Sequence, residues 1–309
     1  MTSPVPVVLV FLDPSFPNGR LADAAKPQLM VTDQGATRGD GIFETMLALD
    51  GSVRKMQAHL NRLGGSAAAL DLVIPDQAAW RRAIDTALSE HLGQYPATDA
   101  AGDERVVKLV VTRGVEGSDA PTAWVQVSPA GSVGRRQRET GLDVILLDRG
   151  YDSEVGERAP WLLLGAKTLS YAVNMAALRY ARTQGADDVI FVSSDGRVLE
   201  GPTSTVLLAH VEKSDDGTQV KRLVTPQLDS GILAGTSQGA LFGAARAAGW
   251  ELGYGPLEPR DLLDADAVWL ISSVRLLAPV NRIDGKEIGT PALQKELTAE
   301  LSTLFAGID

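Results

Sequence analysis

The chain has 309 residues, of which 44% are hydrophobic and 22% charged, which is typical of about two folded globular domains and not of a disordered or fibrous protein. Its formal net charge of −10 argues against a general nucleic-acid-binding surface, because phosphate binding depends on clustered lysine and arginine. The absence of cysteine excludes disulfides, zinc sites built on thiolates and cysteine nucleophiles.

The N-terminal stretch VPVVLVFL, residues 5–12, is apolar but short and follows no positively charged segment. It runs directly into DPSFPNG, so it predicts a strand and a turn and not a signal peptide. No run in the chain approaches about 18 consecutive apolar residues, which predicts no membrane span. We expect a cytoplasmic protein with no membrane or nucleic-acid partner.

The first part of the chain alternates between strand and helix patterns. The stretch DQGATRGDGIFETMLALDGSV predicts a glycine-rich turn, a strand and a hairpin around Asp50 and Gly51. Apolar residues at three- and four-residue steps from Leu60 to Leu70 predict a helix, and DQAAWRRAIDTALSEHL predicts another. RVVKLVVTRG and TAWVQVSP predict two further strands. We therefore expect two helices packed on a sheet.

A change of composition divides the chain. Residues 128–140, SPAGSVGRRQRET, lose hydrophobicity and gain glycine, serine and arginine, which predicts a surface linker. We place an N-terminal α/β domain over residues 1–130, a linker over 131–140 and a C-terminal domain over 141–309. In the last of these, strand patterns, a helix in SYAVNMAALRYARTQG and a hairpin in DDVIFVSSDGRVLEGPTSTVLLAH predict an α/β or α+β fold.

One lysine has an unusual setting. Lys167 stands between a short apolar run and the start of a predicted helix, although lysine is rarely buried without a partner because its ammonium is costly to desolvate. The side chain either reaches water or takes part in chemistry. An acid at a strand end, a glycine-rich helix start and a polar strand end follow along the chain. They are Glu200; Gly235, Thr236 and Ser237; and Ser273 with Arg275.

Each of these features also has an ordinary structural explanation. A glycine-rich helix start can hold a phosphate on its backbone N–H groups, but a tight turn with a serine or threonine N-cap gives the same pattern. His59, His91 and His210 lie too far apart to favour a metal site or a Ser-His-Asp triad, so we assign them to the surface or the core. The order of the parts is more informative, because lysine, acid, phosphate turn and hydroxyl loop are what pyridoxal 5'-phosphate requires.

Several stretches resemble the class IV aminotransferase family of pyridoxal-phosphate enzymes, which have fold type IV. The family includes branched-chain and D-amino-acid aminotransferases and 4-amino-4-deoxychorismate lyase. The resemblance implies a two-domain fold with a smaller N-terminal domain and a larger C-terminal domain with a barrel-like sheet, a bound pyridoxal 5'-phosphate and a homodimer. The matching stretches keep the family's order over roughly residues 30–285: DQGATRGDGIFETM, HLNRLGGSA, VVKLVVTRG, GAKTLSYAVNMAA, DDVIFVSSDGRVLEGPTSTVLL, GILAGTSQ and APVNRIDG.

The resemblance also implies roles for single residues. Lys167 matches the lysine that forms an imine with the cofactor and then shuttles a proton. Glu200 matches the acid that keeps the pyridine nitrogen protonated. Branched-chain enzymes have a tyrosine five residues after the lysine to contact the ring hydroxyl; here that position is alanine, and Tyr171, one position earlier, either makes the contact or packs in the helix. The positions that match the phosphate-binding residues are Arg62, Gly235, Thr236, Ser237 and Ser273.

The reaction is the least determined part of the resemblance. GDGIFET and VVKLVVTRG resemble the lyase and the D-amino-acid aminotransferases more than the branched-chain enzymes. The lyase converts aminodeoxychorismate to pyruvate and 4-aminobenzoate for folate synthesis. Arg38 and Arg275 are candidates to meet the two carboxylates of this small-molecule substrate, with Phe43 as a further contact. Arg38 as a solvated loop charge and Arg275 as the partner of a phosphate or a neighbouring acid are equally good explanations.

We therefore expect a lyase, and the alternative is an aminotransferase acting on D-amino acids or branched-chain amino acids. A phosphate-ligand binding protein or a cofactor carrier without catalysis is a further alternative. The presence of both Lys167 and Glu200 argues against these non-catalytic classes.

Overall fold

The computed structural model describes residues 6–96, 103–213, 217 and 219–308, so residue 5 of the predicted first strand lies outside the described residues. The chain divides into two compact units. The first unit contains the described residues up to Gly131 together with Ala166–Tyr171, and the second contains Ser132–Gly165 and the described residues from Ala172 onward.

The first unit is a sheet with two long helices packed against it. Its elements in chain order are β1 (Val8–Phe11), β2 (Arg20–Ala22), α1 (Gln34–Arg38), β3 (Gly41–Leu49), β4 (Ser52–Val53), α2 (Met56–Ala69), α3 (Gln77–Gln94), β5 (Glu104–Thr112) and β6 (Thr122–Pro129). The strand order is β2-β1-β6-β5-β3-β4, and neighbouring strands are antiparallel. Helix α2 packs against β3, and α3 packs against β1 and β6.

The hairpin between β3 and β4 follows directly from its turn residues. Leu49 pairs with Ser52 across Asp50 and Gly51, whose φ angles are 48° and 80°. Positive φ at both central residues defines the tight turn that Asp-Gly favours, because glycine has no Cβ to clash there. The predicted hairpin is therefore present, and it fixes which side chains of β3 face α2.

A short segment that is distant in sequence lies along the edge of β3. The N–H of Phe43 donates to the carbonyl of Lys167 at 3.0 Å, and the N–H of Leu169 donates to the carbonyl of Gly41 at 2.8 Å. The N–H of Lys167 donates to Ser66 Oγ on α2 at 3.0 Å. The domain prediction placed this segment within residues 141–309, whereas backbone pairing joins it to the first unit.

The second unit is a larger sheet, parallel in part, with helices in its connections. Its elements in chain order are α4 (Ser132–Thr140), β7 (Leu142–Asp148), α5 (Val155–Arg158), α6 (Ala172–Thr183), β8 (Asp188–Val192), β9 (Thr205–Lys213), β10 (Gln219–Pro226), α7 (Thr236–Ala247), β11 (Glu251–Gly255), α8 (Pro259–Leu263), β12 (Ala267–Ser272), β13 (Leu276–Ile283), β14 (Lys286–Glu287) and α9 (Pro291–Ala306). The strand order is β11-β10-β9-β12-β13-β7-β8, and β14 pairs with β13.

Both faces of the central strands β9 and β12 are buried. Val268 and Leu270 belong to one core cluster, while Trp269 and Ile271 belong to another that includes residues of α7 and α9. Successive residues of a strand point to opposite faces, so a strand covered on both sides needs a continuous apolar run. The apolar run in DAVWLISS meets this need, and it holds the end of β12 in a fixed place.

Two sequence expectations differ from the structure. The predicted linker over residues 131–140 is helix α4, which packs against β13 in the second unit. Gln137 is its buried residue, so hydrophobicity alone gave no helical signal. The predicted hairpin after β8 is present around Asp195 and Gly196, with backbone hydrogen bonds between its two arms, but the second arm is not a regular strand, and the next one begins at Thr205.

Candidate active site

Three of the predicted site residues meet in the first unit. The Nζ atom of Lys167 lies 4.5 Å from the centroid of the Phe43 ring and 5.6 Å from that of Tyr171. The two rings pack edge to face, with centroids 5.2 Å apart. Both nitrogen distances are within the roughly 6 Å over which an amine cation is attracted to a ring face. Tyr171 precedes α6, so it packs on Phe43 and not within the helix.

A second lysine contacts the same ring, and the sequence analysis missed it. Lys108 on β5 places its Nζ 5.1 Å from the centroid of Phe43. Burial lowers the pKa of Lys108 below its ordinary value of 10.5. The sequence did contain a signal for it. A charged residue in the middle of the valine-rich strand VVKLVV is unusual, because such a strand is usually buried.

Arg62 is held by a buried acid that the sequence analysis also missed. Its Nε and Nη2 atoms donate to the two oxygens of Glu44 at 2.7 Å and 2.8 Å. His59 Nδ1 lies 2.7 Å from the same carboxylate, and both Glu44 and His59 are fully buried. We call Glu44, His59 and Arg62 the arginine cluster. Two parallel bonds to one carboxylate fix the plane of a guanidinium, so the direction in which Arg62 points is set by Glu44.

The protonation of the arginine cluster follows from its contacts. Burial alone would raise the pKa of Glu44, but hydrogen bonds and charge from Arg62 and His59 lower that pKa to about 2. Burial lowers the pKa of His59, and Glu44 opposes this in part. At neutral pH the carboxylate is therefore ionised and the imidazole is neutral. The charge of Glu44 balances that of the guanidinium. Arg62 therefore contributes an N–H fork of fixed orientation to a ligand, and little net positive charge.

The predicted phosphate residues of the second unit also come together. Ser273 Oγ lies 3.3 Å from Thr236 Oγ1 and 3.3 Å from Ser237 Oγ. We call Thr236, Ser237 and Ser273 the hydroxyl cluster. Thr236 is the first residue of α7, and Ser273 follows the last residue of β12. Hydroxyls at a helix N-terminus, where backbone N–H groups and the helix dipole favour negative charge, form a chemically suitable phosphate site.

Gly235 allows α7 to begin where it does. A Cβ atom at this position would stand 2.5 Å from Thr205 Oγ1, and Thr205 is itself buried in β9. A larger residue would therefore push the first turn of α7 away from the sheet. Glycine is needed here for close approach and not for an unusual backbone angle, because its φ is −72°.

Glu200 is anchored at both its backbone and its carboxylate. Its carbonyl accepts the N–H of Phe191 at 2.9 Å, which ties it to β8. Its Oε2 accepts the N–H of Leu233 at 3.2 Å, two residues before Gly235. The acid and the hydroxyl cluster are therefore connected through one short stretch of chain in the second unit.

Each of the two predicted substrate arginines is paired with an acid. Arg38 Nη2 lies 2.7 Å from Glu116 Oε1, and both side chains are more than half exposed. Arg275 Nη2 lies 2.5 Å from Asp188 Oδ2, and Asp188 is fully buried. For Arg275 the structure thus has the neighbouring acid that the sequence left open as an explanation.

The side chains fit pyridoxal 5'-phosphate by their chemistry. The hydroxyl cluster and the start of α7 suit its phosphate, the Glu200 carboxylate suits its pyridine nitrogen, and the amine of Lys167 suits its aldehyde. Among the described residues no group of three or more His, Asp or Glu side chains is arranged to hold a metal ion. No helix in the described part of the chain combines the length and apolar character that crossing a membrane requires.

Known proteins share both the sequence and the fold. A protein of Mycobacterium tuberculosis named bifunctional aminodeoxychorismate lyase / D-amino acid transaminase is 44% identical over 284 residues, 92% of this chain and 95% of that protein. The fold IV-transaminase CpuTA1 from Curtobacterium pusillum is 43% identical with a TM-score of 0.86, over 97% of this chain and 99% of that one. The pyridoxal-phosphate-bound form of a hypothetical aminotransferase from M. tuberculosis is 42% identical with a TM-score of 0.85, over 97% and 98% of the two chains.

The family match covers most of the chain. The sequence profile described as amino-transferase class IV matches residues 41–283, a range that includes Lys167, Glu200, the arginine cluster and the hydroxyl cluster. The mixed α/β architecture with two curved sheets agrees with the fold-type IV transaminases. These findings confirm the resemblance seen in the sequence: the chain belongs to the class IV aminotransferase family of enzymes, whose cofactor is pyridoxal 5'-phosphate.

Proposed function

We propose that this chain is an aminodeoxychorismate lyase, which converts 4-amino-4-deoxychorismate to 4-aminobenzoate and pyruvate. The observation that carries the proposal is the 44% identity, over nearly the whole of both chains, to a relative whose name includes this activity. The same name includes D-amino acid transamination, which makes that reaction the second candidate for the same site. Branched-chain amino acids stay a prediction of the sequence analysis, and so does the cytoplasmic location.

We assign the proton transfer to Lys167. Pyridoxal 5'-phosphate, when bound, withdraws electrons from the substrate carbon that carries the amino group. The amine of Lys167 takes the proton from this carbon. The C–O bond between the ring and the three-carbon enol acid then breaks with its electron pair on the oxygen, and the enol acid becomes pyruvate when Lys167 returns the proton, while the remaining ring becomes aromatic. Atoms balance without water or an oxidant, so the lyase reaction needs no second substrate.

The remaining cofactor contacts are proposed for residues that the structure fixes in place. Glu200 holds a proton at the pyridine nitrogen, since its carboxylate is oriented by the N–H of Leu233. The hydroxyl cluster and Gly235 bind the phosphate. For Arg62, whose guanidinium is oriented by Glu44, phosphate binding stays the role that the family resemblance implies. Tyr171 packs on Phe43 beside Lys167, and we assign to it the contact with the ring hydroxyl of the cofactor.

The proposed substrate carries two carboxylates, which cationic side chains would bind. Arg38 and Arg275 were the sequence candidates, but Glu116 and Asp188 already pair with them. Lys108 shares the Phe43 ring with Lys167. We therefore assign a substrate carboxylate to Lys108 ahead of either arginine, with Phe43 as the apolar contact between the two amines.

We also propose a homodimer. Large apolar side chains are exposed on both units, among them Met30 and Val31 at 63% and 84% and, on α6, Val173 and Tyr180 at 59% and 52%. Met30 and Val31 are adjacent, and Val173 and Tyr180 lie two turns apart on one helix; exposed apolar side chains close together are typical of protein–protein contact surfaces. Light scattering coupled to size exclusion tests this proposal: a mass of twice the chain's 32.7 kDa supports it, and a monomer contradicts it.

The single-substrate reaction tests the lyase assignment. The holoenzyme is incubated with aminodeoxychorismate and no keto acid, and pyruvate and 4-aminobenzoate are followed over time. We expect many turnovers with equal amounts of both products, because a transaminase without an acceptor stops after one half-reaction. In Lys167→Ala the rate should fall at least about a thousandfold. Absence of product, together with amino transfer from D-alanine once 2-oxoglutarate is added, would replace the lyase by the second candidate.

A further inference from the structure

The turn that carries Ser273 has a constrained backbone. Ser273, Val274 and Arg275 connect β12 to β13, and Ser272 pairs with Leu276 across them. Leu276 has a φ of 62°, in the left-handed backbone region that residues other than glycine rarely adopt. A branched residue stays in this conformation only where its surroundings determine it. The contacts around the turn therefore decide where the Ser273 hydroxyl lies.

Two kinds of contact hold this turn. Ser272 Oγ accepts the N–H of Arg275 at 3.2 Å, and Arg138 of α4 reaches the carbonyls of Val274 and Arg275 at 3.4 Å, which is long for a hydrogen bond. The ion pair between Arg275 Nη2 and Asp188 Oδ2, at 2.5 Å, is far shorter. The exposed fractions of the two side chains are 13% and 0%, so solvent screens the ion pair little. Of these contacts it constrains the turn most strongly.

The other end of the ion pair lies on the strand that holds Glu200. Asp188 is the first residue of β8, and Phe191, in the same strand, donates its N–H to the carbonyl of Glu200. Asp188 Oδ1 also accepts the N–H of Val189 at 2.8 Å, which fixes the carboxylate on its own strand. One buried ion pair thus joins the Ser273 turn to β8, and through β8 to the acid proposed for the pyridine nitrogen.

We propose that Asp188 and Arg275 are positioning residues, whose buried ion pair holds Ser273 against Thr236 and Ser237 so that the hydroxyl cluster is formed before the cofactor phosphate arrives. The inference rests on the proposed binding of the phosphate by the hydroxyl cluster. It gives Arg275 a different role from the substrate contact that the sequence indicated, and it gives a role to Asp188, which the sequence analysis did not single out.

The test separates phosphate binding from general stability. Dissociation constants of the apoenzyme are measured for pyridoxal 5'-phosphate and for pyridoxal, which has the same aldehyde but no phosphate. The ratio of the pyridoxal constant to the pyridoxal-phosphate constant reports the phosphate contribution alone. In Asp188→Asn we expect this ratio to fall about tenfold, the effect of losing one well-placed hydrogen bond to a charged group.

A matched control is available in the first unit. Asp103 pairs with the buried Arg105, whose side chain is 3% exposed. Asp103→Asn therefore breaks a largely buried ion pair of the first unit, which has no contact with the Ser273 turn in the proposal, and should lower stability without changing the ratio. If Asp188→Asn does not fold, the double variant Asp188→Asn with Arg275→Gln removes both charges and leaves no unpaired ion buried, and the ratio should fall in it as well.

Three outcomes overturn the proposal, and they differ from one another. Arg275 Nη1 is buried and has no hydrogen-bond partner among the described residues, so a direct contact between Arg275 and the phosphate is the main competitor. In that case Asp188→Asn would release the guanidinium and raise the ratio. An unchanged ratio in a folded Asp188 variant removes the positioning role. An unchanged ratio in Ser273→Ala would instead show that the phosphate binds elsewhere, so the proposed site fails and this inference fails with it.

Discussion

The arginine cluster of the first unit and the hydroxyl cluster of the second each contain residues that the family resemblance assigns to phosphate binding, yet they are built differently. The arginine cluster is ionic, with Glu44 and His59 fully buried, and its hydrogen bonds of 2.7–2.8 Å leave its geometry little freedom. The hydroxyl cluster is neutral, and its members lie 3.3 Å apart. Hydroxyl hydrogens rotate to suit a partner, whereas a guanidinium held by two bonds cannot. The guanidinium plane is thus fixed in advance, whereas in the hydroxyl cluster only the oxygen positions are fixed and the hydrogens turn to suit the ligand.

Because of this difference, we expect substitutions in one cluster to change the stability of the fold and substitutions in the other to change the affinity for the cofactor. Glu44 balances the charge of Arg62 inside the first unit, so disturbing this cluster should affect folding first. The hydroxyl cluster contains no ion pair of its own among the described residues, so disturbing it should affect cofactor affinity first. Substitutions in each cluster, with controls in the same unit, test this division.

The largest effect is expected from Glu44→Gln. Removing this carboxylate leaves the guanidinium of Arg62 without its balancing charge, which typically costs about 3–5 kcal/mol of unfolding free energy. Glu116→Gln breaks the exposed pair with Arg38 and should cost about 0–1 kcal/mol. Urea unfolding of both variants measures the difference. Equal losses would mean that the arginine cluster does not carry the stability assigned to it.

Acid should weaken the first unit through the same cluster. The pKa of Glu44 is about 2 in the folded chain against an ordinary 4.5, so its contribution is complete above about pH 4.5 and is lost as the pH falls toward 2; its full size is about 3 kcal/mol. The pKa of His59 is lowered, so this residue also costs stability as the pH falls below its ordinary 6.5. Unfolding free energy measured from pH 7 to pH 3 should fall in the wild type and in Ser237→Ala alike. In Glu44→Gln the fall below pH 4.5 should be smaller than in the wild type, because other acids such as Asp195 still contribute there, and an equal fall would exclude Glu44 as a source.

A smaller effect is expected where α7 begins. Gly235→Ala places a Cβ 2.5 Å from Thr205 Oγ1, and the resulting shift of the first turn should weaken cofactor binding by about 2 kcal/mol, or roughly thirtyfold. Gly239→Ala, in the same helix, meets nothing within 4 Å and should raise helix stability by about 1 kcal/mol. Titration of the two apoproteins with cofactor gives the comparison. Equal affinities would show that the close approach at Gly235 is not needed.

The smallest effect is expected from a single hydroxyl. Thr236→Val keeps the shape of the side chain and removes one donor to the phosphate, so affinity for the cofactor should fall about tenfold, or about 1.4 kcal/mol. Its unfolding free energy without cofactor should stay close to that of the wild type. A large loss of stability in the apoprotein would show that the hydroxyl cluster is as rigid as the arginine cluster, and the contrast between them would disappear.

Local patterns in the sequence were sufficient to predict several elements. Asp50 and Gly51 define their own turn, and α2 and α3 follow from their apolar spacing, because these features depend on neighbours a few residues away. Helix α4 was missed since it buries little besides Gln137, and a helix with one buried polar residue has no apolar face to detect.

Contacts between distant parts of the chain could not be read in this way. The segment of Lys167 lies beside β3 because the carbonyl of Lys167 accepts the N–H of Phe43 and the N–H of Leu169 donates to the carbonyl of Gly41. No property of the segment itself indicates that partner. The same holds for the ion pair of Arg275 and Asp188, which are 87 residues apart. Most residues of the proposed site therefore came from resemblance to a family, while the acids that pair with its arginines emerged only from the fold.

Lys167, and not the neighbouring Lys108, is the lysine proposed to bind the cofactor. Both amines contact the ring of Phe43, at 4.5 Å and 5.1 Å from its centroid, so their distances from this ring do not show which of them binds the cofactor. Borohydride reduction of the holoenzyme fixes the cofactor to the amine that carries it, and peptide mass mapping then locates the label. We predict a pyridoxyl-phosphate label on the peptide that contains Lys167 and none on the peptide that contains Lys108. A label on Lys108, with Lys167 unmodified, would contradict the account.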